Sequence, residues 1–464
     1  MREVNDPSGQ GSRGEVALLS EVHSILPQEH DALAGRAATW LHGRGLRRGD
    51  RVAVVAPNDP RLLAFAHGAL RTGVVPVFVD PALRPPERAW ILEDCDPATV
   101  LEDLDTVPWE EDREVELAAL PLGQPMLYTS GTTGRPKGVW RGVLSEGDAR
   151  AWADDERDLW SPEPGAAFLV CSPLYHSAAY RSATSALLAG SRVLLLDRFD
   201  AGAVVELLAS EPVTGAFLVP THLRRIFAMG DPPPARAAKR ILHAGEQCPD
   251  PLKRRALGWL GGALWEFYGS TEGQFTAISP REWLEHPGSV GRARSGRRLQ
   301  IADPDTDGIG TVFVSAPAFA RWEYWRDPAR TARAWRDDLF TVGDLGRLDR
   351  DGYLFLATRR EDLIISGGVN VYPAQIEQVL LEHRSVQEAA VFGAPDPVWG
   401  QRVCAAVVTD DGREELVRWL RDRLDGPQRP KEVIVVETIP RTVTGKIDRS
   451  ALLALVRTGG DRSV

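Results

Sequence analysis

The sequence predicts an α/β protein of more than one domain. A chain of 464 residues is longer than most single domains and can bury a large core. Near its start, an apolar strand at 51–56 is followed by a helical pattern at 60–70 and by a second strand at 74–79. Units of this kind pair their strands in parallel through a right-handed crossover. We therefore expect sheets flanked by helices.

The same alternation continues along the chain. Apolar periodicity predicts helices that include 31–41, 84–95 and 414–424. Residues 102–124 are acidic and contain proline, which predicts a loop. Further strands are predicted at 98–101, 126–128, 167–170, 213–219, 241–243, 264–267, 311–314, 353–356, 386–392, 403–408 and 432–436.

Composition excludes several classes of protein. The net charge of −10 argues against a general nucleic-acid surface, and no apolar run approaches the roughly 18 residues needed to cross a bilayer. The polar segment 5–14 is predicted to be a tail and not a signal peptide. The four scattered cysteines favour core positions in a reducing compartment, so a cytoplasmic protein is predicted.

One stretch between 127 and 139 is unusually rich in hydrogen-bond donors. Its glycines allow backbone N–H groups to converge on an anion, and Lys137 adds a positive charge suited to phosphate. The alternative is an exposed Gly/Thr turn. The spacing does not fit a Walker loop. The density of donors favours phosphate binding, by Thr129, Ser130, Gly131, Thr132, Thr133 and Lys137.

Lysine is rare in this arginine-rich chain, which makes its positions informative. It occurs only at 137, 239, 253, 431 and 446. Two of these, Lys137 and Lys446, stand in glycine-containing motifs, which raises the odds that their amines are chemically required.

Several further motifs accompany the phosphate loop. They are Tyr268-Gly269-Ser270-Thr271-Glu272, the stretch 283–291 (WLEHPGSVG), Phe340-Thr341-Val342-Gly343-Asp344, the stretch 359–373 (RREDLIISGGVNVYP) and the stretch 440–449 (PRTVTGKIDR). Together with the phosphate loop they resemble the signatures of the adenylate-forming superfamily, and in particular its acyl-CoA synthetase or fatty-acid–CoA ligase branch. The resemblance spans nearly the whole chain.

The resemblance implies a nucleotide site and a metal site. It assigns adenine contacts to the Gly245-Glu246 turn and to Tyr268, and an α-phosphate contact to Thr271 beside Gly269. Asp344 would hold the ribose hydroxyls, and Arg359 would contact ribose or phosphate. Mg²⁺ would be held by Glu272 and Thr129, because hard cations prefer oxygen ligands.

It also implies the remaining parts of the reaction centre. The catalytic residues would be Lys446, His176 and Glu272, and the hinge between the domains would be Glu361. The pantetheine arm of CoA would pass Ser366, Gly367 and Gly368. An uncharged acyl pocket would be lined by Tyr175, His176, Ala178, Ala179, Tyr180, Phe217, Gly269 and Gln274.

The implied fold has a large N-terminal domain of mixed sheets flanked by helices, residues 1–360, and a small mobile α+β domain, residues 361–464. The implied function is ATP- and Mg²⁺-dependent ligation of a fatty, alicyclic or aryl acid to CoA through an acyl-adenylate. Val342, Thr358 and Glu246 depart from the family pattern. These departures leave open a protein that performs only one half-reaction. A carrier-protein phosphopantetheine as acceptor is a second alternative. A non-catalytic nucleotide-binding relative is a third, and the intact Lys137, Glu272, Asp344 and Lys446 argue against it.

Overall fold

The computed structural model describes residues 20–110, 115–129, 136–441 and 447–458. Three predictions fall outside these ranges. They concern the N-terminal tail, the phosphate-loop residues Ser130, Gly131, Thr132 and Thr133, and Lys446. The side chain of Glu361 also lies outside the description.

The described chain contains strands throughout. In chain order they are β1 (Val22–Ile25), β2 (Arg51–Val55), β3 (Val75–Val79), β4 (Thr99–Leu101), β5 (Met126–Thr129), β6 (Lys137–Trp140), β7 (Ala167–Val170), β8 (Arg192–Leu196), β9 (Val213–Leu218), β10 (Arg240–His243), β11 (Leu264–Ser270), β12 (Gly273–Ile278), β13 (Arg292–Ala293), β14 (Leu299–Ala302), β15 (Gly310–Ser315), β16 (Glu323–Tyr324), β17 (Trp335–Arg336), β18 (Leu339–Phe340), β19 (Asp344–Leu348), β20 (Leu354–Arg359), β21 (Ile364–Ser366), β22 (Val369–Val371), β23 (Val386–Asp396), β24 (Gly400–Thr409) and β25 (Glu432–Val435).

The helices alternate with these strands. In chain order they are α1 (Pro27–Gly43), α2 (Pro60–Thr72), α3 (Pro85–Cys95), α4 (Glu146–Trp160), α5 (Ser177–Leu188), α6 (Ala201–Ser210), α7 (Pro220–Ala228), α8 (Asp250–Leu260), α9 (Pro280–Glu285), α10 (Pro328–Ala334), α11 (Pro373–Leu381), α12 (Arg413–Arg421) and α13 (Arg449–Thr458).

The largest sheet has eight strands in the order β1-β8-β7-β9-β10-β11-β12-β13. Its central strands β8, β7, β9, β10 and β11 run parallel, as the strand–helix alternation predicts, whereas β11 and β12 form an antiparallel hairpin. Parallel strands place their carboxyl ends at one edge, where ligands of open α/β sheets bind. The turns after β10 and β11 therefore lie together at that edge.

Two other sheets complete the N-terminal part. One has the order β16-β6-β5-β3-β2-β4, and the other has the order β17-β18-β15-β19-β20 with β14 beside β15. The first of these carries the ends of the phosphate loop, because β5 and β6 pair antiparallel with Thr129 opposite Lys137. The other carries Asp344 opposite Arg359 on β19 and β20.

The fourth sheet lies wholly after residue 363. Its order is β22-β21-β24-β23, with β25 beside β24, and it has its own apolar core under α11 and α12. The location of this sheet agrees with a separate C-terminal unit. The exact boundary at 360/361 stays a prediction.

Local sequence explains why several elements begin and end where they do. Asp59 begins α2 by accepting a hydrogen bond from the Arg61 backbone N–H, and Pro60 occupies the first turn. Gly73 ends the same helix in the left-handed conformation that glycine adopts without a Cβ clash. The prediction of an α/β fold is confirmed.

Some boundaries differ from the predictions. The strand predicted at 353–356 is β20, which begins at Leu354 and continues to Arg359. The predicted loop at 102–124 contains a short 3₁₀ turn at Leu104–Thr106, capped by Asp103. All four cysteines are free, and three are buried. Among the described residues, no helix is both long enough and apolar enough to cross a membrane.

Candidate active site

Three residues predicted to bind the nucleotide meet in the structure. Tyr268 ends the buried part of β11, and its hydroxyl donates to the Asp344 carboxylate at 2.5 Å. Arg359 approaches the other oxygen of Asp344, with Nε at 3.3 Å from Oδ1. These side chains come from two sheets and are separated by 76 and 15 positions in the sequence, so their convergence is a product of the fold.

A second cluster forms around Glu272 in the turn between β11 and β12. Lys137 Nζ donates to the Tyr324 hydroxyl at 2.7 Å, and that hydroxyl donates to Glu272 Oε1 at 2.8 Å. Lys137 Nζ is also 3.6 Å from the same oxygen. We call Lys137, Tyr324 and Glu272 the Glu272 cluster. It connects the strand after the phosphate loop with the Tyr-Gly-Ser-Thr-Glu motif.

The charges of the Glu272 cluster are set by burial and by neighbouring charges. Burial alone would raise the pKa of Glu272, but Lys137 and hydrogen bonds from Ser270 and Tyr324 outweigh it, so the pKa lies below its usual value. Burial lowers the pKa of Lys137, and attraction to Glu272 offsets part of that effect. The site therefore holds a carboxylate anion beside a cation that is poorly solvated.

The residues predicted to hold Mg²⁺ fit that ion chemically. Glu272 is 4% exposed and anionic. Within the described ranges, the hydroxyl oxygen of Thr129 is buried without a hydrogen-bond partner. A carboxylate and a hydroxyl are the oxygen ligands that Mg²⁺ takes. Both residues lie next to Lys137. Thr129 stands opposite it in the β5–β6 pair, and Glu272 is its ion-pair partner.

The turn after β10 is also held in place by side chains. The Glu246 carboxylate accepts hydrogen bonds from the Thr221 backbone N–H at 2.8 Å and from the Thr221 hydroxyl at 2.5 Å. Arg224 Nη2 donates to its other oxygen at 3.0 Å. Glu246 thus anchors the Gly245 turn to the start of α7, which gives this departure from the family pattern a structural contact.

The residues predicted to line the acyl pocket are divided between surface and core. His176 precedes the first turn of α5, and its ring contacts that of Tyr175 at a centroid distance of 4.9 Å. Ala178 is half-buried beside them. Tyr180 points into the core, where its ring meets Phe78 at 5.6 Å, and Ala179 is fully buried. That any of these residues lines an acyl pocket stays a prediction.

The far side of the predicted pocket is closely packed. Phe217 lies edge-on to Trp160, with ring centroids 5.9 Å apart. Gln274 is 2% exposed and accepts a hydrogen bond from Arg294 at 3.2 Å. Gly269 stands opposite Gln274 in the hairpin, and a Cβ there would lie 2.6 Å from the Gly273 carbonyl oxygen. Only glycine permits this close approach.

The predicted CoA contacts lie in a hairpin of the fourth sheet in which Ser366 is buried and Gly367 and Gly368 are exposed. Ser366 ends β21, and Gly367 and Gly368 form the turn before β22, with φ of +59° and +81°. The Gly367 N–H donates to the Trp399 carbonyl at 2.8 Å. A Cβ on Gly367 would lie 2.7 Å from the Trp399 ring. We call Ser366, Gly367, Gly368 and Trp399 the glycine hairpin.

The segment before Lys446 approaches the Gly245-Glu246 turn, which is predicted to contact adenine. Arg441, the last described residue before that loop, pairs with Glu388 at 2.9 Å and approaches Glu246 Oε2 to 4.0 Å. Glu361 lies in the turn Arg360–Asp362 that follows β20. Asp362 pairs with Arg449 of α13 at 3.2 Å. The predicted hinge and the start of the lysine loop are thus both tied by ion pairs.

Sequence reasoning missed Tyr324 and Arg141. Tyr324 is 4% exposed and bridges Lys137 and Glu272. Arg141 donates to the carbonyl oxygens of Thr271 and Glu272. Neither residue has a local sequence signal, because the partners are 52 to 187 positions away. The only available hint was that Arg141 directly follows the strand that begins at Lys137.

Comparison with known proteins gives an independent view. Residues 8–122 and 125–322 match the family model described as AMP-binding enzyme, and residues 375–446 match that of the AMP-binding enzyme C-terminal domain. A feruloyl-CoA synthase of an Amycolatopsis species is 34% identical over 457 residues, covering 89% of this chain and 90% of the relative.

Solved structures agree with this result. ATP-bound MatB from Rhodopseudomonas palustris matches with a TM-score of 0.81 and 28% identity, over 94% of this chain and 93% of the other. O-succinylbenzoate CoA synthetase (MenE) from Bacillus subtilis, in complex with its acyl-adenylate, matches with a TM-score of 0.81 and 28% identity, over 90% and 91% of the two chains. It has also been solved with ATP and a magnesium ion.

The chain belongs to the AMP-binding enzyme family, the adenylate-forming superfamily that its motifs resemble. The predicted fold and the predicted enzyme class, an AMP-forming acid–thiol ligase, are confirmed by these matches.

Proposed function

We propose that this protein is an ATP-dependent carboxylic acid–CoA ligase that acts on a fatty, alicyclic or aryl acid. The observation that supports it most is the meeting of Tyr268, Asp344 and Arg359, because a tyrosine ring, a carboxylate and a guanidinium together suit an adenosine phosphate. Its relatives include CoA ligases for an aryl acid and for long-chain fatty acids.

The reaction has two displacements. An oxygen of the substrate carboxylate attacks the α-phosphorus of ATP, and pyrophosphate leaves. The sulfur of CoA then attacks the acyl carbon, AMP leaves, and the thiol proton is released. Both steps gather negative charge on phosphate oxygens, so the protein's contribution is to position groups and to neutralise charge.

Each cluster has a part in this scheme. Lys137 neutralises the outgoing phosphates, and Lys446 does so where the carboxylate meets the α-phosphate. A Mg²⁺ bound by Glu272 and Thr129 would supply further positive charge to the phosphates. A single contact of this type is typically worth about 10²–10³ in rate. Asp344 and Arg359 hold the ribose of ATP. This places the α-phosphorus in line between the attacking carboxylate oxygen and the leaving pyrophosphate.

The two steps need different surroundings, and we infer that the C-terminal part rotates about Glu361 between them. Arg441 approaches Glu246 beside the nucleotide turn, which suits a loop that delivers Lys446 for adenylation. The glycine hairpin remains on the surface, with neighbouring Ile365 53% exposed. A hinge rotation would exchange these two segments.

The test combines two measurements on the purified protein. ATP–pyrophosphate exchange reports adenylation, and mass spectrometry of CoA thioesters reports transfer, over a panel of aryl, fatty, alicyclic and α-amino acids. Asp344→Ala should slow exchange by about 10²-fold, whereas Asp351→Ala, which removes an exposed carboxylate, should not slow it. Thioester formation with an organic acid is expected. Absence of both products with every acid would refute the ligase, and a preference for an α-amino acid would refute the uncharged pocket.

The same panel addresses the alternatives. A carrier protein bearing phosphopantetheine, offered in place of CoA, would be the better acceptor if the protein loads carriers. Exchange without any thioester would indicate a protein that performs the first half-reaction only. ATP binding without exchange would indicate a non-catalytic relative. A cytoplasmic location also stays a prediction.

A further inference from the structure

Arg141 stands where the two halves of the phosphate-binding region meet. It directly follows β6, the strand that begins at Lys137. Its Nη2 donates to the backbone carbonyl oxygens of Thr271 at 3.1 Å and Glu272 at 2.6 Å. Its Nη1 donates to the Ala320 carbonyl at 2.8 Å, in the segment just before Tyr324. One guanidinium thus joins three chain segments.

Those contacts are made in an unusual environment for a cation. Among the described residues, no carboxylate lies within ion-pairing distance of Arg141, and its guanidinium instead packs 4.8 Å above the Trp152 ring. The protein packed around it lowers its pKa to about 9. Because Arg141 binds carbonyl oxygens and no carboxylate, ion pairing does not explain why a cation is buried at this position.

The neighbouring arginines show a different arrangement. Arg297 lines the same cavity beside Glu272, but both of its terminal nitrogens bind the Asp155 carboxylate at 2.8 Å. Arg181, also on that cavity, pairs with Glu156. Of these three, Arg141 alone contacts the turn that carries Thr271 and Glu272.

We propose that Arg141 is a positioning residue that fixes the Thr271–Glu272 turn at the right distance from Lys137 for binding Mg²⁺ and ATP together. Lys137 and Arg141 belong to one short segment. The first is linked to the Glu272 side chain through Tyr324, and the second holds the Glu272 backbone. Two attachments determine the orientation of the carboxylate, whereas one would let it swing. This inference rests on the proposed function only in taking ATP as the ligand.

Direct binding tests this role without any acid or CoA. ATP is titrated calorimetrically into the full-length protein with Mg²⁺ and again with EDTA, and the ratio of the two affinities gives the gain due to the metal. Arg141→Met should reduce that gain about 10-fold, the value of one charge-assisted hydrogen bond. Affinity for ATP in EDTA should fall less than affinity with Mg²⁺, because the Glu272 carboxylate that Arg141 helps to orient acts through the metal.

Arg141→Lys and Arg297→Lys form the matched pair. A lysine keeps the charge but cannot reproduce the fork that spans three carbonyl oxygens, so Arg141→Lys should also lose most of the gain. Arg297→Lys should keep the wild-type gain even if its melting temperature falls. If Arg141→Met does not fold, Arg141→Lys decides by the same criterion.

Three results in the variants would overturn the proposal. In the first, the Arg141 variants keep the wild-type gain in ATP affinity from Mg²⁺. In the second, they lose ATP affinity equally with and without Mg²⁺. In the third, Arg297→Lys loses the gain as well. A wild-type protein whose ATP affinity ignores Mg²⁺ would overturn the metal site and the proposal with it. Failure of the ligase assignment shows differently, as normal Mg²⁺-dependent ATP binding without exchange over the acid panel.

Discussion

The Glu272 cluster and the glycine hairpin are built in opposite ways. Glu272 and Tyr324 are each 4% exposed, and their polar groups are paired with one another and with Lys137. The hairpin is bordered by apolar side chains open to solvent, with Val369 43% and Trp399 45% exposed. Among the described residues, the first region is paired within the N-terminal part, whereas the second leaves apolar side chains exposed.

We propose that the difference reflects what each half-reaction requires. Stabilising charge on a phosphate is most effective with groups that are already oriented and shielded from water. A long flexible thiol substrate needs an open path and a surface that closes behind it. We therefore expect substitutions in the two regions to separate adenylation from thioester formation.

The largest effect is expected from Lys446→Ala. Loss of a charged contact at the α-phosphate should slow ATP–pyrophosphate exchange by about 10³-fold. Thioester release from pre-made acyl-adenylate and CoA should stay near the wild-type rate. Lys431→Ala, an exposed lysine of the same part of the chain, is the control for exchange. Equal slowing of both steps by Lys446→Ala would contradict the two-orientation mechanism.

Glu272→Gln should have the next largest effect. The amide keeps the shape of the side chain but removes the charge that a metal and Lys137 require, so exchange should fall about 10²-fold. Raising Mg²⁺ should recover part of it. Glu211→Gln, which removes the charge of a half-buried carboxylate paired with Arg192, serves as the control. An unchanged dependence on Mg²⁺ would show that Glu272 is not a metal ligand.

Gly367→Ala tests the role of the glycine hairpin in thioester formation. The residue has φ of +59°, and the new Cβ would collide with Trp399, so the turn must distort. We expect about a 10-fold loss of thioester formation with exchange intact, which is the size of a 1–2 kcal/mol strain. Gly368→Ala, where space is open, should be milder. Gly367→Leu combines this strain with blockage of the predicted tunnel.

Tyr324→Phe should slow exchange by up to about 10-fold, because a single hydrogen bond is lost on each side of the hydroxyl. Lys137 and Glu272 would remain close enough to pair directly. Tyr353→Phe, which removes a hydroxyl bonded to Glu282 elsewhere, is the matched control. If Tyr324→Phe and the control show the same exchange rate, the hydroxyl of Tyr324 does not contribute to adenylation.

The smallest effect concerns stability in acid. Burial lowers the pKa of His30 to about 4 and that of His222 to about 3. Because the unfolded chain binds protons near pH 6.5, the free energy of unfolding should fall as pH drops from 6.5 towards 4. Both histidines lie in the N-terminal part. Urea unfolding at pH 7 and pH 5 measures the free energy of unfolding of the wild type and of His30→Gln. The wild type should lose more stability between the two pH values, and an equal loss in the two proteins would contradict this prediction.

Sequence alone determined the elements and the chemistry of the motifs. The strand–helix alternation, the short strand before the phosphate loop and the identities of Tyr268, Glu272 and Asp344 were all available, because periodicity and motif spacing are local properties. They sufficed for the fold class and the enzyme class.

Only the tertiary structure decided how these motifs are joined. The hydrogen bond between Tyr268 and Asp344, the bridge through Tyr324 and the anchoring by Arg141 connect residues 52 to 187 positions apart. Such pairs carry no periodic signal, and their side chains meet because strands of three different sheets bring them together. Long-range packing and the need to satisfy buried polar groups select these partners, and neither can be evaluated from neighbouring residues.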